Sequence, residues 1–277
     1  MRLRKTRTVH TAFRWASINK TSMKQLIIII LISICNPIYS QNSVFDDLIK
    51  DYEKDKVELD KSIAKKYFDV DFNPGVPKAY TDKIVLKNKD FIGLSCLLPC
   101  MAGGLCETSR LVIFDYSGNK LDKLEKFEYT FADCAFRNTR FCAYSSDTLL
   151  ILTNKEIKKD CDQDTVLDKS ISLNYIRINT GGRLEHSKNI TIDTRREYYN
   201  TSIEILNAKD LSDKSDDELA IMRNEIFAAH GYDFKTTKWK NYFNGKYWYE
   251  PVSRDVNDKL SIIEKKNIEL IMKNENN

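Results

Sequence analysis

The spacing of apolar residues along this chain changes near residue 200. Between Ile84 and Ile192 the apolar residues form short runs separated by turn residues, which is the pattern of antiparallel strands. From Leu219 onward they recur three or four positions apart, which indicates one-sided helices. We therefore predict an α+β fold, a disulfide-containing antiparallel β domain followed by a small α-helical C-terminal domain. The predicted strands are residues 84–86, 91–97, 111–115, 123–130, 148–152, 171–178 and 184–192.

Six of the seven cysteines lie in one window of 66 residues, and the C-terminal segment has none. An even number in an exported chain predicts disulfides, which stabilise by restricting the unfolded state. Six cysteines allow 15 pairings, so the connectivity stays open, although Cys134 with Cys142 would close a local loop. The alternative is a metal site on the first three cysteines. It lacks the paired C-x2-C spacing and a nearby histidine, so we predict neither metal nor cofactor. The disulfide candidates are Cys96, Cys100, Cys106, Cys134, Cys142 and Cys161.

The first 40 residues have the composition of an export signal. They contain seven basic residues and no acidic one, with a ten-residue apolar run at 26–35 and a small residue at Ser40. Such a run is too short to span a bilayer, which needs about twenty residues, and it fits a cleaved signal peptide. We predict cleavage after Ser40, with Met23 as the natural start, and no transmembrane span once the signal is removed. Lipid attachment at Cys35 is the alternative, and the bulky Ile34 argues against it.

The net charge argues against a nucleic-acid partner. The chain has 44 basic and 40 acidic residues, and removal of the seven basic residues of the signal leaves 37 basic residues and a net charge of −3. The basic excess therefore belongs to the predicted signal, and the remaining charges are mixed in sign. We expect an exported protein, periplasmic or extracellular, that binds no nucleic acid.

Two pairs of segments in the predicted β domain resemble each other. Residues 113–122 and 176–185 share a strand, a Ser/Thr-Gly turn, a basic residue, leucine and an acid at an offset of 63, and residues 82–86 and 147–151 repeat at 65. This indicates either a two-fold duplicated sheet unit packed as a sandwich or hairpins that share only turn chemistry. The predicted domains are a signal peptide (1–40), an N-terminal helical arm (41–75), the β domain with disulfides (76–195), a linker (196–210) and the helical domain (211–277).

The C-terminal segment carries clear helix boundaries. Ser215 and Glu218 have the spacing of a capping box, and Ser261 and Glu264 repeat it before the last apolar stripe. Gly231 permits the left-handed conformation that ends a helix. Between these boundaries, aromatic residues supply a core for the small domain. They are Trp239, Tyr242, Phe243, Tyr247, Trp248 and Tyr249.

This segment resembles the YARHG domain, a module of exported bacterial proteins. The resemblance covers about residues 211–274. It rests on R-N-E-I-x-A-x-H-G-Y-x-F at 223–234, Y-F at 242–243, W-Y-x-P at 248–251 and L-S-x-x-E-x-x-N-I at 260–268. Phe227 and Ala229 stand where the family has Tyr and Arg, so a ligand held by that hydroxyl or guanidinium would be bound differently here. The resemblance implies a location at the cell exterior and brings no established molecular activity.

Three residues of the segment are candidates for binding: His230, Trp248 and Tyr249. A catalytic or metal role for His230 would need partners, and the other histidines are only His10 and His186. The alternative is that His230 bonds the free carbonyls of a helix end or packs in the core. Trp248 and Tyr249 form either a stacking platform for a sugar or part of that core.

The chain lacks the common catalytic motifs: a GxSxG elbow, a phosphate-binding glycine loop and an HExxH pair. Asp160, Asp162 and Asp164 alternate, but the glycine and terminal glutamate of a calcium loop are missing. We therefore predict a non-enzymatic binding or scaffold protein of the bacterial cell envelope, whose C-terminal module docks an envelope component or a protein partner. The alternatives are an envelope hydrolase with an acidic site on the β domain and the module as targeting unit, and a structural envelope protein without a small ligand.

Overall fold

The structure is a computed structural model that describes residues 44–101, 106–163 and 165–275. The predicted signal peptide, its cleavage site and the alternative lipid attachment at Cys35 lie outside these ranges. Within them, none of the helices has the length and apolar character needed to cross a membrane. The predicted α+β fold is confirmed, since a nine-stranded antiparallel sheet with disulfides is followed by C-terminal helices.

Two helices precede the sheet in the chain, α1 at residues 44–51 and α2 at Lys61–Phe68. The strand order is β1-β2-β3-β5-β6-β7-β8-β9, and β4 and β5 pair with different parts of β3. The strands are β1 (Tyr80–Lys87), β2 (Phe91–Pro99), β3 (Cys106–Asp115), β4 (Lys120–Leu124), β5 (Tyr129–Ala132), β6 (Phe136–Ser145), β7 (Leu149–Lys159), β8 (Val166–Ile178) and β9 (Leu184–Thr191).

The C-terminal region is helical and begins with a 3-10 turn. Both predicted capping boxes are formed: Ser215 Oγ accepts from the Glu218 amide (3.3 Å), and Ser261 Oγ accepts from the Glu264 amide (3.1 Å). Each glutamate in turn accepts from the backbone amide of its serine, at 2.9 and 2.8 Å. The elements are the 3-10 turn Tyr199–Ser202 and the helices α3 (Ala208–Leu211), α4 (Asp216–Ala229), α5 (Thr237–Asn244) and α6 (Ile262–Glu275).

The hairpins β3–β4 and β8–β9 close with the same turn. Asp115 Oδ1 accepts hydrogen bonds from two turn amides at 2.9 Å each, and Gly118 has a φ of 81°. Asn179 Oδ1 accepts from the equivalent amides at 2.9 and 3.1 Å, and Gly182 has a φ of 73°. Such a turn needs a short side-chain acceptor at its first position and glycine where φ is positive. The two turns correspond at an offset of 64 residues, one more than the sequence comparison gave.

The half of the sheet that contains β1 to β3 packs against the half that contains β7 and β8 through one apolar core. Strands β1 to β3 contribute Phe91, Leu111 and Ile113, and strands β7 and β8 contribute residues such as Leu152 and Ile176. The Leu184 amide also donates to Asp122 Oδ2 at 2.8 Å, which joins the two matching hairpins. This face-to-face packing and the repeated turn fit a duplicated sheet unit.

Helices cover the outer faces of both halves. On the first half, Tyr67 and Phe68 of α2 meet Phe114 of β3 edge-on, with ring centroids 5.9 Å apart in each pair. On the second half, Ile151 of β7 and Leu173 of β8 belong to a cluster that includes Ile203 and Ile263 from the helical region. The buried parts of β7 and β8 therefore contribute to clusters on both faces of the sheet, and the helical region is packed onto the sheet.

The described residues contain two disulfides, both in loops at one end of the sheet. Cys100–Cys106 closes the loop between β2 and β3, and Cys134–Cys161 joins the β5–β6 and β7–β8 loops. The expected pairing of Cys134 with Cys142 is wrong. The reason is that Cys142 lies within strand β6, which carries it away from the loop, whereas the two hairpin loops meet in space.

Two of the cysteine candidates are free thiols, Cys96 on β2 and Cys142 on β6. Burial is the main cause that raises the pKa of each thiol to about 12. Both are therefore protonated at neutral pH and are weak nucleophiles, since the thiolate is the reactive form. Neither thiol has the properties of a reactive cysteine.

Candidate functional site

The polar residues of the helical region meet in a buried network centred on Glu264, whose exposed fraction is 4 %. Its Oε1 accepts from Ser202 Oγ (2.7 Å), and its Oε2 lies 2.8 Å from the Ser261 amide and 3.0 Å from His230 Nε2. Burial acts to raise the pKa of Glu264, but the contacts with His230, Ser202 and Ser261 outweigh it and lower the pKa below 4.5. The carboxylate is ionised at neutral pH, so His230 Nε2 is the donor in this pair.

His230 is placed by the end of helix α4, where it is the C-cap residue. Its side chain is 25 % exposed and contacts the buried carboxylate of Glu264 rather than a free backbone carbonyl. Within the described residues, no group of three or more His, Cys, Asp or Glu side chains could hold a metal ion. The arrangement makes His230 a partner of a structural carboxylate, and a ligand-binding role for it stays a prediction.

Gly231 fixes the path of the chain after α4. Its φ is 77°, and a Cβ at this position would lie 2.5 Å from Val252 Cγ2 and 2.8 Å from the Glu250 carbonyl oxygen. The Gly231 carbonyl accepts from the amides of Val252 (2.8 Å) and Ser253 (3.1 Å). Only glycine fits both the backbone conformation and the close approach of the 250–253 segment.

A second buried glutamate, Glu225 on α4, binds the segment that follows the sheet. Its exposed fraction is 1 %, and it accepts from the amides of Tyr198 (2.8 Å) and Glu197 (3.2 Å). Arg196 Nε lies 3.4 Å from Glu225 Oε1, and Arg196 Nη1 donates to Ser202 Oγ at 3.0 Å. Burial raises the pKa of Glu225, and Arg196 and the two amides offset this only in part. Ser202 therefore connects the two glutamates through Arg196.

Asn267 on α6 completes the network and is fully buried. Its Oδ1 accepts from the Leu206 amide (2.9 Å), and its Nδ2 donates to the carbonyls of Thr201 (2.7 Å) and Glu204 (2.8 Å). All three partners lie in residues 196–210, which the sequence predicted to be a linker. This segment is bonded to helices α4 and α6 along most of its length, and the domain boundaries stay predictions.

Trp248 and Tyr249 pack in the aromatic cluster around Phe243. Their ring centroids lie 6.1 and 5.7 Å from that of Phe243, and Tyr249 Oη donates to the Tyr232 carbonyl at 2.6 Å. Both side chains are half-buried, so a stacking platform would have only their outer portions, and this role stays a prediction. The neighbouring Tyr247 is 77 % exposed.

The helical region has a cavity of about 400 Å³ that sequence reasoning did not identify. Phe227, one of the two departures from the family pattern, lies in its wall, whereas Ala229, the other, is exposed. Arg254 is 67 % exposed, and its Nε donates to Asp233 Oδ2 at 3.1 Å. In the sequence, Asn224, Phe227 and Tyr232 lie within the family run at 223–234, and residues 254–257 come shortly after the W-Y-x-P run. The lining residues are Asn224, Phe227, Tyr232, Arg254, Asp255, Val256 and Asn257.

A separate cavity of about 320 Å³ lies on the β domain. Three carboxylates line it: Asp82, Glu107 and Glu128. Glu128 is engaged, because Oε2 pairs with Lys83 Nζ at 2.6 Å and Oε1 accepts from the Cys142 amide at 2.7 Å. Tyr129, Thr139 and Arg140 also line this cavity, which is the location that an acidic site on the β domain would occupy.

Comparison with known proteins identifies the helical region. No curated protein and no solved structure matches the chain. The family model of the YARHG domain matches residues 195–276. The match begins ahead of residue 211, so it includes Arg196, Ser202 and the backbone groups that bond Asn267. The C-terminal region of this chain, residues 195–276, is therefore a YARHG domain.

Proposed function

We propose that this chain is an exported, non-catalytic binding protein of the bacterial cell envelope, whose YARHG domain docks an envelope component or a protein partner. The observation that carries the proposal is that the ionisable residues of the motif bond to other groups of the domain itself. Glu225 and Glu264 are 1 % and 4 % exposed, and His230 Nε2 is engaged by Glu264. A general acid or base must reach a proton of the substrate, and these groups face the chain itself. The disulfides and the YARHG domain are consistent with export.

The docking surface is the cavity beside α4. Phe227 and Tyr232 supply aromatic rings, 6.0 Å apart, and Asn257 and Arg254 supply polar groups at the mouth. Asp233 holds the Arg254 guanidinium through Nε, which leaves its other nitrogens to face a partner. Rings beside an anchored guanidinium are typical of residues that dominate binding at protein surfaces.

In the test, residues 41–277 are immobilised and their retention of two envelope fractions is measured. One fraction keeps its protein, and the protein has been removed from the other. We expect retention by the wild-type chain. The Arg254→Ala variant should lose this retention, and the Arg195→Ala variant should keep it. Arg195 is a matched control, because it too is an exposed arginine that pairs with an aspartate, Asp193. Retention on the protein-free wall would identify a wall component, and retention that needs protein would identify a protein partner. Absence of retention on both fractions would reject the docking role.

A second candidate function is an envelope hydrolase, favoured by the three carboxylates of the cavity on the β domain. Glu107 and Asp82, which accepts a hydrogen bond from Ser95 Oγ (2.5 Å), are the residues to test, since Glu128 is held by both Lys83 and a backbone amide. We expect residues 41–277 to release no soluble fragments from purified peptidoglycan. Release that disappears in both Asp82→Asn and Glu107→Gln variants would replace the binding proposal with this one.

A further inference from the structure

A groove of about 290 Å³ lies where the YARHG domain packs on the outer face of β7, β8 and β9. The docking surface shares no residue with this groove. Small-molecule sites occur preferentially at such junctions, as concave and mostly apolar spaces with a few polar groups. The groove is therefore a separate candidate for a ligand.

The walls of the groove are largely apolar. Leu173 is buried on β8, and Ile190 and Ile192 are half-buried at the edge of the sheet. Ile262 at the start of α6 faces them from the YARHG domain. These side chains can take up the apolar body of a ligand and exclude water from it.

Two lysines stand at the groove, one on each wall. Lys188 Nζ lies 5.4 Å from the centroid of the Tyr175 ring, and Lys259 Nζ lies 3.5 Å from the His230 carbonyl oxygen. Both lysines are exposed and can turn toward a bound anion. Of the acidic lining residues, Glu264 is buried and accepts hydrogen bonds from Ser202, Ser261 and His230, so the exposed charges at the mouth are Asp258 and the two ammonium groups. The charge at the mouth thus complements an anion.

From this arrangement we propose that the groove binds a small carboxylate with an apolar body, an aliphatic or aryl-aliphatic acid. The carboxylate lies between Lys188 and Lys259, and the apolar body lies against Leu173, Ile190 and Ile192. The volume is at the lower limit of ligand pockets, about 300 Å³, so the acid is short. A ligand in this position contacts the sheet and the YARHG domain at once and stabilises their packing.

The test is calorimetric titration of residues 41–277 with hexanoate, and with hexanol, hexylamine and acetate as matched probes. We expect saturable binding of hexanoate and affinities at least about tenfold lower for the other three, since each lacks the charge or the apolar body. The double variant Lys188→Ala, Lys259→Ala should bind hexanoate at least about tenfold more weakly. Lys238→Ala, an exposed lysine elsewhere in the domain, should bind it normally.

Three results would overturn the assignment. They are no saturation by hexanoate up to about 10 mM, equal affinity for hexanol, and hexanoate binding that the double variant leaves unchanged. Amide chemical shifts give an independent readout, because hexanoate should move resonances in residues 173–192 and 258–264. The docking proposal depends on Arg254 and envelope retention, so either proposal can fail while the other stands.

Discussion

The β domain and the YARHG domain satisfy the hydrogen-bonding groups of their buried backbone in different ways. In the sheet, ladders of strand hydrogen bonds satisfy the backbone, so the side chains between its two halves are apolar. In residues 196–210 of the YARHG domain, Arg196, Thr201, Ser202, Ile203 and Leu206 are buried outside any strand ladder, so the amides and carbonyls of this segment need other partners. Glu225 and Asn267 supply those partners directly, and Ser202 joins Glu264 to the same segment.

This difference explains why charged and amide side chains lie inside such a small domain. The apolar clusters of the YARHG domain are small, and two of them have three buried members each among the described residues. A buried polar group costs stability unless it is hydrogen-bonded, and here each bond also fixes one segment on another. The polar part of the motif therefore acts as a tie between α4, α6 and the chain that leaves the sheet.

The strongest test of this difference is Asn267→Ala. Loss of the amide leaves the Leu206 amide and the Thr201 and Glu204 carbonyls without their partner, so we expect a loss of about 3–5 kcal/mol in the free energy of unfolding. Asn274→Ala on the same helix is the control, because Asn274 makes one bond, to the Leu270 carbonyl (2.8 Å). It should cost less than about 1 kcal/mol. Urea unfolding measures both, and equal losses would contradict the role given to Asn267.

The stability of the sheet should depend instead on the disulfide Cys134–Cys161. Replacement of Cys134 and Cys161 by serine should lower the free energy of unfolding by about 2–4 kcal/mol, because the unfolded chain regains the freedom of a 27-residue loop. Mass spectrometry of peptides from the unfolded wild-type chain, digested without reductant after alkylation of the free thiols, provides the check on connectivity. If Cys142 is found in a disulfide with Cys134, the pairing of the two loops is wrong.

A smaller change in stability distinguishes a core role from a ligand-stacking role for Trp248 in the aromatic cluster. Trp248→Ala should cost about 2–3 kcal/mol, below the usual value for a fully buried ring, because Trp248 is half-buried. Tyr247→Ala, next to it in the chain but 77 % exposed, should change stability by less than about 0.5 kcal/mol. If Trp248→Ala leaves thermal stability unchanged while envelope retention is lost, the ring belongs to a binding platform.

The pH dependence gives the subtlest comparison. The lowered pKa of Glu264 means that its contribution to stability is present above pH 4.5 and is lost as the pH falls through the pKa of the folded state. The raised pKa of Glu225 has the opposite sign, so its ionisation costs stability as the pH rises. We expect Glu264→Gln to destabilise at neutral pH and to differ less from the wild type in acid. Urea unfolding at several pH values would contradict this if the difference were constant.

Local patterns in the sequence predicted the local structure well. The spacing of Ser215 and Ser261 to their glutamates gave both capping boxes, and alternating apolar runs gave most strands. Capping depends on residues three positions apart, so one stretch of chain carries all the information. The family resemblance of the C-terminal segment was likewise confirmed, and the match extends further toward the sheet.

The long-range contacts could not be read in the same way. Ser202 and Glu264 are 62 residues apart, and Asn267 and Thr201 are 66 apart, so no spacing links them. Residues 196–210 bond to buried side chains mainly through their backbone groups, which any residue supplies, so their polar composition is the same as that of a solvated linker. The disulfide pairing failed for a related reason: Cys134 and Cys161 meet only after strands β6 and β7 have paired along their full length. The buried network, the role of residues 196–210 and the disulfide pairing all depend on contacts between residues that are far apart in the sequence.

The most direct test of the account is to unfold residues 41–277 in urea while two probes are followed. Trp239 and Trp248 both lie in the YARHG domain, so tryptophan fluorescence reports that domain, and the strand component of the infrared amide I band reports the sheet. Because Ile203 and Ile263 pack on β7 and β8 and the polar network holds them there, we predict one coincident transition. Two separate midpoints would contradict it, since the YARHG domain would then be an independent module beside the sheet.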